Sequence, residues 1–383
     1  MKFSIRDKKL KFYHAIYVIL VILMPISVVT SYSLTGEILR PVIRWIAAFA
    51  IVIGVSKVDY RFINRFAFPL LIVALALVCI TLLFGSGGGG RSLTIGAISI
   101  QTFYIITIIV VLYLCTSCAI KITKNQSINK YESFNLLALF ALFTASIALR
   151  NFSTALLLGF TGICILYVAK INMKQLVGFI LIIVLGASLY IWHGSKEDQK
   201  RTETELNQES KTRGSTVYNR IKYWRTGESD IEGYGQQMTL AQTAVARSAN
   251  AAGPGKGIIK NKMAEGENDF AFALICEELS VFTGIFLAIL YFSLFFNALY
   301  ISRKASGNFV KLYSMSIGLL ILGQAMIHIA TNTNLIPATG QTLPFISRGD
   351  TAFLFTCTLV GTLINMGKMV ANNADDDSEF IVK

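Results

Sequence analysis

The stretch "FAFPLLIVALALVCITLLF", residues 66–84, runs for 19 residues without a single charge. As an α-helix it would be about 28 Å long, close to the thickness of a bilayer's hydrocarbon core. Runs of this kind recur. Ten are read along the chain, at 12–32, 43–57, 66–84, 102–122, 133–149, 152–170, 175–193, 281–301, 310–330 and 349–370. A water-soluble protein would need most of these helices to be apolar all round, which is improbable for so many consecutive elements. The 383 residues are 54% hydrophobic and 15% charged, with a mean hydropathy of +0.58. The sequence predicts an all-α integral membrane protein of about ten transmembrane helices. No A-x-A-like cleavage site follows the first apolar run, so it is read as a retained span.

The net charge of +13 is distributed unevenly. With the N-terminus in the cytoplasm, 18 of the 35 basic residues fall on cytoplasmic segments, against five on short outer loops: Arg40, Arg44, Arg91, Arg150 and Arg348. This positive-inside bias puts both termini in the cytoplasm. The basic balance is therefore an orientation signal, and nucleic acid is not an expected partner. The six cysteines all lie within or beside apolar stretches; Cys115 and Cys118 form a C-x-x-C in mid-span and are read as packing residues.

Three outward segments break the alternation of span and short loop. "GSGGGGRSLTIGAISIQ", from Gly85, reads as a flexible turn followed by a strand-like or re-entrant piece. No G-K-[ST] follows its glycines and no βαβ unit surrounds them, so they read as a mobile outer loop and not as a phosphate-binding one. The second is an extracytoplasmic loop between the seventh and eighth spans, taken as 194–280. Up to Asp269 it carries 12 basic and 11 acidic residues. Its 195–215 tract is polar and reads as mobile. "YNRIKYWRTG" at 218–227 interleaves aromatics with Arg220, Lys222 and Arg225, as an interfacial segment does. "QQMTLAQTAVARSANAAGPGKG" reads as a small-residue helix ended by Gly253-Pro254-Gly255. The third segment, "NTNLIPATGQTLPFISRGD" at 332–350, has two prolines and two glycines and cannot be a plain helix. Irregular backbone at membrane depth is tolerated only inside protein or along a cavity, so it points to a site. Residues 371–383 form a cytoplasmic tail.

The acids are placed where function would need them. In "NDFAFALICEELS", 268–280, Asp269 stands where the polar loop ends, and Glu277 and Glu278 lie inside the apolar run. Asp269 suits a helix N-cap and equally a general base at the membrane face; the two are compatible. On one straight helix Glu277 and Glu278 would sit about 12–13.5 Å along the axis from it, beyond even the ~6.5–9.5 Å of inverting glycosidases. A carboxylate dyad is thereby excluded. The two glutamates read as structural, although an intramembrane acid is by default a functional candidate. Gln324 and His328 share a helical face and read as hydrogen-bond glue, with a substrate path as the alternative. Arg348 and Asp350 are spaced to pair with each other.

These residues resemble the SEDS family, the FtsW/RodA/SpoVE group of ten-span bacterial proteins. "NDFAFALICEEL" is similar to its T/S-D-F-I-F-A-x-x-x-E-E-L/Y segment, and "IPATGQTLPFISRGD" to its L-x-P-x-x-G-x-x-L-P-F-I-S-x-G-G signature. "AAGPGKG" resembles its glycine-rich region, "SKVDYRFINRFAFPL" its I-D-Y-R segment, and "QAMIHIATNTNLIP" its Q-A-F-I-N-I segment. The matches are in one order across the whole chain, which then forms a single SEDS-type membrane domain, 1–383. The chain departs from the pattern at Tyr104 and Thr107, where the family has Glu and Lys, at His328 for Asn, and at Asp350 for Gly.

The resemblance implies a peptidoglycan glycosyltransferase that polymerises lipid II, the undecaprenyl-pyrophosphate-linked disaccharide-pentapeptide, at the outer face of the bacterial cytoplasmic membrane. It implies Asp269 as the catalytic aspartate, deprotonating the attacking sugar hydroxyl or orienting it through Mg²⁺ or Mn²⁺. Arg220, Lys222, Arg225, Arg247, Lys256 and Arg348 are the local cations for the leaving pyrophosphate. A class B penicillin-binding transpeptidase is the implied partner, with other divisome or elongasome proteins; the T-G-Q-T-L-P wording and "NFSTA" at 151–155 lean toward the FtsW branch. Two other readings stand beside the enzyme. Polar Gln324 and His328 with the proline-broken segment suit a flippase for a lipid-linked precursor, and the missing Glu and Lys suit a non-catalytic division scaffold.

Overall fold

The computed structural model describes residues 12–85, 92–95, 98–124, 129–204, 213–227, 234–263 and 266–372. The chain builds helices α1 (His14–Thr35), α2 (Leu39–Val55), α3 (Tyr60–Arg65) and α4 (Ala67–Phe84), then a hairpin of β1 (Leu93–Ile95) and β2 (Ile98–Ile100). There follow α5 (Thr102–Thr123), α6 (Lys130–Ala148), α7 (Phe152–Val168), α8 (Met173–Thr204), α9 (Arg213–Thr226) and α10 (Tyr234–Ala246). The last four are α11 (Ala271–Leu279), α12 (Val281–Lys304), α13 (Asn308–Asn332) and α14 (Asp350–Ala371).

Every expected span coincides with a helix. Among the described residues, eight helices are long and apolar enough to cross a membrane. The other two, α2 and α7, have 17 residues each, about 25 Å of helix. The protein is a multi-pass membrane protein.

Local chemistry sets several boundaries. Asn129 and Glu132 form a reciprocal capping box at the start of α6. Asp59 accepts the Arg61 amide at 2.9 Å and starts α3, and Asn151 accepts the Thr154 amide at 3.2 Å to start α7. Gly36, at φ +72°, closes α1 in the left-handed region that favours glycine. Ser280, at φ +90°, separates α11 from α12, and its hydroxyl caps the new helix through the Phe282 amide at 3.3 Å.

Between helices in lipid there is no hydrophobic driving force, so close packing and buried polar contacts select the neighbours. Most of the spanning window is buried in α5, α13 and α14 (61%, 61% and 72%), whereas only 11% is buried in α8. The first three form the centre of the bundle, and α8 lies at its rim. Contacts run chiefly between α12 and α13, α8 and α9, α2 and α14, α4 and α5, and α5 and α13. At the α12–α13 crossing a Cβ on Gly318 would lie 2.7 Å from the Ala298 methyl, so only glycine permits this approach.

Three expectations need adjustment. Helix α8 continues to Thr204, well past residue 193, because its charged last turns hydrogen-bond internally once outside the apolar zone. The tract read as mobile, 195–215, is thus helical through Thr204 and again from Arg213; residues 205–212 lie outside the described residues. Helix α10 stops at Ala246, ahead of Gly253, giving way to a short 3₁₀ turn at Arg247–Ala249. The strand-like reading after Gly85 corresponds to the hairpin, in the register Leu93 opposite Ile100, while the glycine run and the tail beyond 372 lie outside the described residues.

Candidate active site

The candidate residues gather at the end of the bundle where α1 finishes and α2, α5, α7 and α14 begin. Asp269 is half-buried, in a turn directly before α11. It does not serve as the N-cap, a position that falls on Phe270 without a side-chain bond. Its backbone is instead fixed from α13. Asn332 donates its side-chain amide to the Asp269 carbonyl at 3.0 Å and accepts the Ala273 amide at 2.9 Å. One turn earlier, His328 Nε2 accepts the Phe272 amide at 3.3 Å, and Nδ1 lies 2.6 Å from the Gln341 carbonyl. A carbonyl only accepts, so the proton sits on Nδ1. Two of the orphan N–H groups in the first turn of α11, those of Phe272 and Ala273, are thus satisfied by α13.

The 333–349 segment closes over this turn and is fixed from several helices. Gln324 donates to the Thr342 carbonyl at 2.9 Å and hydroxyl at 3.1 Å. Gln341 donates to Thr154 at 3.0 Å, Ser153 to the Thr339 carbonyl at 2.7 Å, and Tyr291 to the Pro344 carbonyl at 2.5 Å. Tyr104 lies 3.3 Å from the Thr342 hydroxyl and 3.5 Å from Gln341 Oε1, where the family has a glutamate. Phe345, buried between Trp45 and Phe353, adopts φ +65°, a strained value for a bulky side chain. Ser347 accepts the Leu343 amide at 2.8 Å and donates to the Asn268 carbonyl at 2.7 Å. The Arg348 amide reaches the Glu267 carbonyl at 3.2 Å. Both sides of Asp269 are therefore held by main-chain contacts.

Glu277 and Glu278 hold the other neighbouring loop. Their side chains are only 2% and 5% exposed, yet their oxygens are occupied. Glu277 accepts the amides of Ile258 at 3.1 Å and Ile259 at 3.3 Å. Glu278 accepts those of Gly255 and Gly257, both at 3.2 Å, together with the Ser33 hydroxyl. The Lys260 ammonium is 3.5 Å from Glu278 and donates to the Ser33 carbonyl at 2.6 Å. A Cβ on Gly257 would meet Glu278 Oε1 at 2.7 Å, so this approach requires glycine. The 253–259 loop is folded around two carboxylates, the arrangement that makes buried charge tolerable.

The six candidate cations differ in setting. Arg348 pairs with Glu267 at 2.6 Å, and this partner raises the guanidinium's pKa above its ordinary value. The expected Arg348–Asp350 pair gives way to this one, because the backbone of Arg348 lies along Glu267 while Asp350 opens α14 facing Arg44 at 3.8 Å. Arg247 lies 3.8 Å from Glu277, and Arg220 donates to the Ala338 carbonyl at 3.1 Å. Lys222, Arg225 and Lys256 are exposed. Among the described residues no group of three or more His, Cys, Asp or Glu is clustered for a metal ion. A Mg²⁺ ion does not need one: it commonly takes one or two carboxylates and completes its shell with water and substrate phosphates. Asp269 fits that role.

Sequence reasoning passed over Asn332 and Arg44. Asn332 continues the 324, 328 face by one further turn, a signal the spacing contained. Arg44 sits inside an apolar run, where a charge is by default a functional candidate, although it was counted with the loop residues.

The family profile of FtsW, RodA and SpoVE, described as "Cell cycle protein", matches residues 8–372. The chain is 27% identical over 363 residues to the probable peptidoglycan glycosyltransferase FtsW of Bacillus subtilis, covering 90% of this chain and 85% of that protein. It is 25% identical over 333 residues to the FtsW of the same description from Borreliella burgdorferi, covering 85% of each. The fold matches a chain of a peptidoglycan synthase complex that coordinates polymerization and crosslinking, with TM-score 0.73 at 16% identity over 93% of this chain and 97% of that one. It also matches the rod shape determining protein RodA of Thermus thermophilus, with TM-score 0.63 at 15% identity over 93% and 96%. The chain belongs to the FtsW/RodA/SpoVE family.

Proposed function

We propose that this protein is a peptidoglycan glycosyltransferase that joins lipid II units into glycan strands on the outer face of the bacterial cytoplasmic membrane, with both termini inside. The relatives described as probable peptidoglycan glycosyltransferases support the reaction class. The observation that carries the site is the placement of Asp269: a half-buried carboxylate whose flanking backbone is held by Asn332 on one side and Ser347 on the other. Such a carboxylate is preorganised to receive a proton without moving.

In this reading a sugar hydroxyl of one substrate attacks the anomeric carbon of the other. The new C–O bond forms as the bond from that carbon to the pyrophosphate oxygen breaks. Asp269 takes the hydroxyl proton, and the lipid-linked pyrophosphate departs with the electron pair. Arg348, Arg247 and Lys256 lie on the segments flanking Asp269 and offset the negative charge that develops on the leaving group. Lys222 and Arg225 extend that positive surface along α9. A Mg²⁺ or Mn²⁺ ion bound by Asp269 and the substrate's phosphates would add positive charge at the leaving group. A class B penicillin-binding transpeptidase is the proposed partner, within the division or elongation machinery. Residues 194–280 form the extracytoplasmic part that carries the site.

The test is polymer formation from purified lipid II, in the presence of a transpeptidase partner that lacks glycosyltransferase activity of its own. Strands that are digestible by a muramidase are the expected product. Lipid II translocation into vesicles without any polymer would favour a transporter instead.

A further inference from the structure

Arg44 is a largely buried charge in the second turn of α2, its side chain 15% exposed. Its Nη1 donates to the Ser347 carbonyl at 3.3 Å and Nη2 to the Ile346 carbonyl at 3.4 Å. The guanidinium carbon stacks 4.4 Å over the Phe353 ring. Asp350 is the neighbouring acid, at 3.8 Å and 82% exposed, so it supplies little to so buried a cation. What Arg44 grips is the end of the turn in which Phe345 takes its strained φ of +65°. Ile346 and Ser347 are themselves buried, so their carbonyls depend on these N–H donors.

The grip is transmitted. Ser347 donates to the Asn268 carbonyl and the Arg348 amide to that of Glu267, the two residues before Asp269. Arg44, Glu267, Ile346 and Arg348 also line one cleft with Thr30 and Ser31 of α1, about 10 Å³ in volume. That is room for a single water. The contribution of Arg44 runs through the backbone.

We infer that Arg44 is a positioning residue for glycosyl transfer: it holds the strained 344–347 turn against the 267–269 turn and so fixes the Asp269 carboxylate. The inference rests on the proposed activity. Misplacement of a reacting group by even 1 Å from a distant substitution costs about 100-fold, and the loss should appear chiefly in kcat, because Asp269 and the neighbouring Arg348 both act on the bonds that change in the transition state.

The experiment compares the native protein, Arg44→Met, Arg44→Lys and Asp350→Asn, each with the transpeptidase partner, by lipid II polymerisation kinetics and by hydrogen exchange of the Leu343 and Arg348 amides, which donate to Ser347 and to the Glu267 carbonyl. Arg44→Met should lower kcat about 10- to 100-fold while KM stays within about threefold. Exchange at these two amides should accelerate about tenfold, the consequence of losing one net hydrogen bond's worth of local stability. Arg44→Lys, whose single ammonium cannot serve two carbonyls in a fixed fork, should fall between; it also serves if the Met variant does not fold. Asp350→Asn should match the native protein. Native kcat in both Arg44 variants, or a lowered kcat with native exchange at Leu343 and Arg348, would overturn the inference. A native protein that makes no polymer removes the proposed activity instead, and exchange then still decides whether Arg44 governs the turn.

Discussion

Asn332 bridges the Asp269 turn to helix α11: its one side-chain amide donates to the Asp269 carbonyl at 3.0 Å and accepts from Ala273 at 2.9 Å. Leucine at 332 keeps the volume and removes both bonds, leaving a buried N–H without an acceptor. Asn332→Leu should lose about 1–3 kcal/mol of stability, read as a lowered thermal midpoint in detergent. It should also lose more than tenfold in turnover. A variant with native kcat would separate Asn332 from the chemistry.

Glu278 and Lys260 form the most buried ion pair described here, at 3.5 Å, with side chains 5% and 13% exposed. Removing one partner strands the other. Glu278→Gln should therefore destabilise by about 3–5 kcal/mol, and the double variant Glu278→Gln/Lys260→Met by less than the sum of the singles. Additive losses across the cycle would mean that the glutamate acts through the amides of the 255–257 loop and not through Lys260.

Two glycines in that loop are distinguished by their surroundings. At Gly257 an added methyl meets Glu278 Oε1 at 2.7 Å, whereas Gly255, at φ +80°, has open space around it. Gly255→Ala should cost about 1 kcal/mol from the left-handed backbone alone, and Gly257→Ala about 2–3 kcal/mol by displacing the carboxylate. Equal thermal shifts would contradict the packing of the loop around Glu278.

Arg348 and Glu267 are 50% and 30% exposed, so their 2.6 Å contact is worth about 1 kcal/mol or less. Arg348→Gln should leave the thermal midpoint nearly unchanged. If its charge faces the leaving pyrophosphate, turnover should fall at least tenfold, as for loss of one charge-stabilising donor. Native kinetics in this variant would remove Arg348 from the substrate-facing cations.

Much of the architecture was legible in the sequence because bilayer thickness fixes helix length: each apolar run became a helix. The irregular path of 333–349 was legible too, since Pro337 and Pro344 forbid a continuous helix there. What the sequence concealed was pairing. Arg348 was expected to meet Asp350, two residues away, yet meets Glu267, 81 residues earlier, because the chain returns to lay one loop along the other. Glu277 and Glu278 gave no hint that backbone amides of the glycine loop would receive them. Local spacing carries no information on such contacts. The extension of α8 to Thr204 was hidden for another reason: a charged sequence outside the membrane supports a helix as readily as a loop.

The central claim is that Asp269 is the proton acceptor, and its most direct test is glycan-strand formation from purified lipid II by the native protein and by Asp269→Asn, each with a glycosyltransferase-deficient transpeptidase and with Mg²⁺ or Mn²⁺. The Asp269 carbonyl, through which Asn332 holds the turn, is unaltered by the substitution, so the variant should fold with a native thermal midpoint. Polymer from the native protein and a loss of about 100-fold or more in Asp269→Asn is the predicted result. Equal polymer from the two folded proteins would contradict it.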